Sequence, residues 1–174
     1  MAKKADTAAL TFGVGQSVVY PAHGVGKITG VEKQTVAGME LEVYVVAFDQ
    51  DKMILRVPTN RAEASGMRAL AGSKLVDDAL KTLGGKARIK RTMWSRRAQE
   101  YEAKINSGDL ISIAEVVRDL HRGDDQPEQS YSERQLYESA LDRMARELAA
   151  VENIDKVTAM EKLAKSLAKK KVAA

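Results

Sequence analysis

The first third of the chain contains short apolar runs separated by turn-forming residues. The runs are rich in β-branched side chains, which are typical of strands. They are Ser17–Tyr20, Gly26–Glu32, Leu41–Phe48 and Met53–Val57. Glycine, proline and aspartate stand between them at positions where tight turns need them. About four or five short antiparallel strands within residues 13–58 predict a small β barrel of the SH3 or Tudor kind.

After Pro58 the apolar residues take the spacing of amphipathic helices. The helical stretches lie at 75–83, 93–107, 110–120, 137–151 and 154–167. Ser132 and Gln135 have the spacing of a capping box, which predicts a helix start there. The predicted fold class is therefore α+β and multidomain, with an N-terminal SH3/Tudor-like β barrel followed by an all-α domain of about five helices.

These patterns divide the chain into four parts. We expect a disordered tail at residues 1–12, the β domain at 13–58, the helical domain at 59–168 and a frayed C-terminal tail at 169–174. The chain holds no cysteine, which excludes disulfides, thiol catalysis and cysteine-bound zinc. It also has no apolar run long enough for a membrane span, so we expect a soluble, cytoplasmic protein.

The distribution of charge is more informative than the net charge of +4. Six cations and no acid fall between residues 86 and 97, and they are Lys86, Arg88, Lys90, Arg91, Arg96 and Arg97. The only tryptophan, Trp94, lies among them. Such cations could neutralise phosphates and release counterions, and the ring could stack on bases or wedge between them. Equally, Trp94 could be a core residue, since it continues a helical stripe with Ala98, Tyr101 and Ile105.

No catalytic or metal-binding pattern stands out. The segment Gly24-Val25-Gly26-Lys27 lacks the first glycine and the final Ser or Thr of a phosphate-binding loop, so a turn followed by a strand explains it better. His23 and His121 have no partner at helical spacing for a metal pair. We expect a binding protein rather than an enzyme, with no cofactor and no metal.

Several segments together resemble the bacterial CarD/CdnL-type RNA polymerase-binding regulators, whose first domain is shared with a transcription-repair coupling factor. The matching segments span most of the chain in the expected order. They are Val14-Gly15 with Val19-Tyr20-Pro21-Ala22-His23-Gly24-Val25-Gly26, then Leu55-Arg56-Val57-Pro58, Trp94-Ser95-Arg96-Arg97 and Ala114-Glu115-Val116-Val117-Arg118-Asp119-Leu120.

For the first domain, the resemblance implies a Tudor-like module that docks on the polymerase β subunit through an exposed strand edge. Edge pairing of this kind supplies affinity through backbone hydrogen bonds. Arg56 falls on a position that the family uses for polymerase contact, and Val57 and Pro58 end the same strand. A second basic contact position of the family maps to about Gln34, beside Lys33.

For the helical domain, the resemblance implies a monomeric, nucleoid-associated DNA-binding module. Trp94 aligns with a tryptophan that enters the minor groove at the upstream edge of melted promoter DNA. Arg96 and Arg97 match the adjacent basic positions, and Arg88, Lys90 and Arg91 would share the phosphate contacts. A wedge with phosphate contacts would favour the open bubble over reannealed duplex and so stabilise the open initiation complex.

Two other functions are compatible with the residues. An RNA- or ribosome-associated protein could use an SH3-like barrel and basic helices to bind folded RNA by shape and charge. A nuclease-like accessory protein is a third possibility, but the sequence offers no carboxylate constellation for a metal.

The chain ends in Ala173 and Ala174, after a lysine run. This ending looks like the C-terminal signals that bacterial unfoldase-protease machines recognise, and a frayed terminus would be accessible to them. We expect a degradation signal there, read by a tail-recognising protease; the alternative is an ordinary unstructured terminus.

Overall fold

The computed structural model describes residues 12–48, 51–123 and 126–168. The predicted N-terminal tail lies outside this part of the chain except for Phe12, which is buried in the sheet core. The predicted C-terminal tail, with the degradation signal at Ala173 and Ala174, lies entirely outside the described residues.

The N-terminal part is a five-stranded antiparallel sheet. Its strands are β1 (Ser17–Tyr20), β2 (Gly24–Val36), β3 (Met39–Phe48), β4 (Met53–Pro58) and β5 (Arg68–Ala69). They lie side by side in the order β4-β3-β2-β1-β5, which leaves β4 and β5 as edge strands. The sheet precedes five helices in the described chain, and this confirms the predicted fold class.

The long strand β2 bends so that it can serve two neighbours. It pairs with β1 at its start and with β3 along the rest of its length, and a β-bulge lies between Ile28 and Gly30. Bulges increase the local twist and bend a strand. The bend encloses an apolar core around the fully buried Tyr44, whose hydroxyl accepts a hydrogen bond from the Phe12 backbone N–H at 3.3 Å.

Strand pairing continues beyond residue 58, where we placed the domain boundary. The short strand β5 pairs with Val18 and Val19 of β1. Ala62 and Met67, which precede β5, are buried in the same core as the sheet residues. The boundary at 58 stays a prediction, and the paired strands reach residue 69.

The C-terminal part contains helices α1 (Ser73–Leu83), α2 (Trp94–Asn106), α3 (Leu110–Leu120), α4 (Tyr131–Glu152) and α5 (Lys156–Ala168). The start of α4 corrects one sequence expectation. The cap is Ser130, whose hydroxyl accepts from the Glu133 backbone N–H, and not Ser132. A serine with a glutamate three residues later is itself a capping box, and the two candidates overlap in this sequence.

The helices share one apolar core. Helix α3 lies at its centre and packs against α1, α2 and α4, and α5 packs against α4 and α1. Val116, Val117 and Leu120 of α3 are fully buried there, together with Leu83 and Leu163. Across the described residues, none of the helices combines the length and the apolar character that crossing a membrane would need.

An arginine on α4 joins the two domains. The guanidinium of Arg143 donates to the carbonyl oxygens of Pro21 at 2.6 Å and Ala22 at 2.7 Å, in the turn between β1 and β2. It also donates to the carbonyl of Ile105, at the end of α2, at 3.0 Å. Burial lowers the pKa of Arg143, with a smaller effect in the same direction from Arg146. One side chain therefore ties the β1–β2 turn to two helices.

A buried ion pair reinforces this junction. Glu147 on α4 accepts from both terminal nitrogens of Arg68, at 2.7 and 2.8 Å, and from the backbone N–H of Ala71 at 2.9 Å. Arg68 also donates to the Gly108 carbonyl. Gly108 has φ +72°, and a Cβ atom there would lie 2.9 Å from the Cα of Pro21. Only glycine fits this close approach, so the relative placement of the domains is tightly constrained.

Candidate functional site

The strand β4 presents Arg56 on the outer face of the sheet, at its edge. In the register Arg56 lies opposite Val45, Pro58 opposite Val43, and Gln34 of β2 opposite Leu41. Because side chains alternate between the two faces of a strand, Arg56, Pro58 and Gln34 share this outer face. Lys33 and Val57 point to the other face, where Val57 is buried in the sheet core. Two of the sequence-predicted contact residues are thus separated from the other three.

A carboxylate holds Arg56 in place. The Nε atom of Arg56 lies 3.3 Å from Oε2 of Glu32, and both side chains are about half exposed. An ion pair with this exposure contributes at most about 1 kcal/mol to stability, because water screens it. The side chain is therefore oriented but remains available to a competing carboxylate on a partner. Glu32 was missed by sequence reasoning, because its contact with Arg56 depends on the strand register.

Trp94 begins helix α2 and is only partly buried. Its ring packs against the helical core, and its indole Nε1 donates to the hydroxyl of Ser132 at 3.2 Å, at the start of α4. The guanidinium carbon of Arg97 lies 5.4 Å from the centroid of the Trp94 ring and 5.8 Å from that of Tyr101. Cation–π contacts of this kind stabilise by about 0.5 to 2 kcal/mol. The ring is therefore held by core packing, by one hydrogen bond and by a stacked guanidinium, and it stays partly accessible to water.

Four of the five cations that were predicted as DNA contacts are exposed, namely Arg88, Lys90, Arg91 and Arg96. Lys90 lies 3.2 Å from Glu100 in an exposed ion pair. Arg97 differs from the four, because it is partly buried against the two aromatic rings. The chain around Trp94 thus carries four exposed cations and one arginine that stacks on the ring.

Residues 84–93, which precede α2, form neither a helix nor a strand, but a hydrogen bond anchors their backbone. The backbone N–H of Arg88 donates to Oδ1 of Asp119 at 3.0 Å. Asp119 is buried and also accepts from Arg118 at 2.9 Å. The carboxylate on α3 therefore positions the backbone that carries the cations, and the side chain of Arg88 stays exposed. In the sequence, Asp119 was noted only as part of a segment that resembles the family. Its hydrogen bond to the Arg88 backbone was not predicted.

The described residues contain no group of three or more His, Cys, Asp or Glu side chains that could hold a metal ion. His23 stacks on Tyr20 with ring centroids 5.7 Å apart, and His121 lies 3.1 Å from the hydroxyl of Tyr137. Burial raises the pKa of Tyr137. These contacts assign both histidines to local packing and hydrogen bonding.

The described chain thus consists of a sheet with an oriented arginine at its edge and helices that carry a tryptophan among cations. Comparison with known families assigns this two-domain arrangement to a class, the transcription regulators. Residues 12–71 match the CarD-like/TRCF RID domain, and residues 78–164 match the CarD C-terminal domain.

The second match covers half of the chain, and the protein belongs to the CarD family of bacterial RNA polymerase-binding transcription regulators. The family predicted from the sequence and the Tudor-like nature of the first domain are thereby confirmed. The chain is also similar to YdeB of Bacillus subtilis (strain 168), which is described as a candidate transcription factor. The two are 25% identical over 143 residues, which cover 82% of this chain and 94% of YdeB.

Proposed function

We propose that this protein binds the β subunit of RNA polymerase with its sheet and promoter DNA with its helical domain, and so stabilises the open initiation complex without catalysis. One observation carries the proposal: the two candidate surfaces lie on different domains, and these domains are firmly joined. Arg56 lies at the edge of the sheet, and Trp94 lies at the start of α2 with exposed cations beside it.

The polymerase contact would combine an edge strand with one oriented charge. Strand β4 ends the sheet, so a partner strand could pair with its free backbone groups. Arg56 would exchange Glu32 for a carboxylate of the partner. This exchange keeps the arginine paired in both states, so it contributes more to specificity and association rate than to affinity.

The DNA contact would use the part of the Trp94 side chain that is accessible to water. An aromatic or apolar side chain inserted at a base step unstacks it and bends or opens the duplex. The exposed cations would bind phosphates on either side and hold the opened DNA. Because the protein would bind the melted form better than the duplex, it would shift the equilibrium toward the open complex.

Reversing the charge of Arg56 tests the polymerase contact. We expect Arg56→Glu to weaken binding to the polymerase about tenfold or more, equivalent to about 1.4 kcal/mol. The new carboxylate would face Glu32 and repel an acidic partner surface. Binding to DNA should not change, because the helical domain is untouched. Both affinities can be measured with purified protein.

A matched charge reversal on the helical domain serves as the control. Lys165 is an exposed cation on α5, and Lys165→Glu should leave polymerase binding as it was. Equal losses for the two variants would show that net charge matters and that Arg56 makes no specific contact. Unchanged binding for Arg56→Glu would remove this residue from the interface.

The salt dependence of DNA binding separates the two neighbouring arginines. The slope of log affinity against log salt should become shallower by about 0.9 in Arg96→Ala, the amount expected for one lost phosphate contact on duplex DNA. Arg97→Ala should change the slope much less, because this guanidinium stacks on Trp94 and Tyr101. If the two variants gave the same slope as the unchanged protein, neither arginine would contact phosphate.

A folded RNA that displaced the DNA readily would favour the RNA-binding alternative.

A further inference from the structure

Two apolar side chains beside Trp94 are left without a structural role. Among the large hydrophobic residues that the structure describes, Met93 and Tyr131 are the most exposed, each with 77% of its surface accessible to water. Neither belongs to the helical core cluster, although Trp94, the next residue after Met93, packs on it. The exposure of large apolar groups costs free energy in water, so a pair of them at one place suggests a contact surface.

The fold brings these two residues to the same end of the helical domain. Met93 directly precedes Trp94, and Tyr131 directly precedes Ser132, whose hydroxyl accepts from the Trp94 indole at 3.2 Å. The two come from the starts of different helices, α2 and α4. The Trp94–Ser132 hydrogen bond therefore holds these two helix starts next to each other, and we call the exposed side chains there the Met93–Tyr131 surface.

Local structure does not account for either side chain. Met93 occupies the cap position of α2, but its side chain makes no capping hydrogen bond. Tyr131 is the first residue of α4, where Ser130 already provides the cap. Its hydroxyl accepts a hydrogen bond from the Gln135 side chain at 2.6 Å. This contact, one turn along the helix, orients the ring and leaves most of it exposed.

We infer that Met93 and Tyr131 bind DNA together with Trp94, as a composite apolar wedge built from the starts of two helices. This inference rests on the proposed function and extends its DNA contact from one side chain to three. Methionine is among the apolar residues that proteins insert between base steps, and an exposed tyrosine ring can stack on an unpaired base. The Trp94 ring also packs on the helical core, so only part of it is accessible for such a contact.

The surrounding charge favours a nucleic acid over a protein partner. The segment from Lys86 to Arg97 carries six cations and no acid, and Arg91 and Arg96 lie close to Met93 in sequence and are exposed. An apolar ridge with positive charge beside it complements the bases and phosphates of partly melted DNA. A protein partner for the same ridge would need a matching acidic rim.

The test is a binding titration of the full-length protein with a labelled DNA duplex that contains an unpaired bubble. We expect Met93→Ala and Tyr131→Ala each to weaken binding about fivefold, which corresponds to the lower range for loss of one stacked base. Tyr131→Phe keeps the ring and should recover most of the loss. Val157→Ala is the matched control, because Val157 is also exposed but lies on α5, and it should bind as the unchanged protein does. Circular dichroism should show the same helix content in all four.

Trp94→Ala in the same titration distinguishes failure of the composite wedge from failure of the proposed DNA contact. If Trp94→Ala weakens binding and the Met93 and Tyr131 variants do not, the composite wedge is wrong and the proposed DNA contact stands. If none of the three weakens binding, the proposed DNA function itself fails. If Tyr131→Ala lowers polymerase binding and leaves DNA binding intact, the surface is a protein contact and the inference is overturned.

Discussion

Trp94→Ala is expected to shorten the lifetime of open promoter complexes by about 5- to 150-fold, since stacking of one aromatic ring on a base is worth about 1 to 3 kcal/mol. Recruitment of the polymerase should not change, because Arg56 lies on the other domain. The decay of preformed complexes after addition of a competitor measures the lifetime directly. A lifetime that does not change would exclude the wedge.

The structure also supplies a control for this substitution. Because the Trp94 ring packs partly on the core, alanine could lower stability as well as remove a DNA contact. Ser132→Ala removes only the hydrogen bond to the indole, which is worth about 0.5 to 1.5 kcal/mol, and keeps the ring. It should shorten the lifetime less than Trp94→Ala does. If Trp94→Ala loses helix content by circular dichroism, the tryptophan is chiefly a core residue.

The second large effect concerns stability. Glu147→Ala should lower the free energy of unfolding by about 3 kcal/mol, the lower end for breaking a buried ion pair, because about a quarter of the Arg68 side chain is exposed. The substitution also leaves the Ala71 backbone N–H without its acceptor. For a chain of this length, the unfolding temperature should fall by about 6 to 12 °C, which a thermal melt can measure.

An exposed ion pair is the comparison for Glu147. Glu100→Ala breaks the pair with Lys90, and both of these side chains are exposed. Such pairs contribute about 0 to 1 kcal/mol, so the unfolding temperature should move by no more than a few degrees. Equal shifts for the two variants would mean that burial of Glu147 adds nothing to its interaction.

The repeating patterns of the sequence predicted most of the fold. Periods of two and of about 3.6 residues indicated β1 to β4 and the five helices, since each of these elements buries one face. Strand β5 was missed because two residues show no period, and it exists only because β1 lies beside it. The cap of α4 was misplaced by two residues, because Ser130 and Ser132 each have a suitable partner three residues later.

Only those features of the candidate site that depend on residues close together in the sequence could be predicted. The exposed cations around Trp94 follow from a run of charges without acids. The contacts that orient the site do not, since Arg56 and Glu32 are 24 residues apart and Trp94 and Ser132 are 38 apart. Such pairs form only when the register of strands and the packing of helices are known. Met93 and Tyr131 looked unremarkable in the sequence for the same reason.

The close approach of Gly108 to Pro21, with the Arg143 hydrogen bonds beside it, has a consequence for how the protein would compete for its targets. Under the proposed function, the two binding surfaces lie on one rigid body, so the protein binds its two targets bivalently. Once the first is engaged, the second meets its target at an effective concentration on the order of millimolar, so that two weak contacts produce strong avidity. A bulky side chain at Gly108 would misalign the surfaces, and this avidity would be lost although every contact residue remained intact.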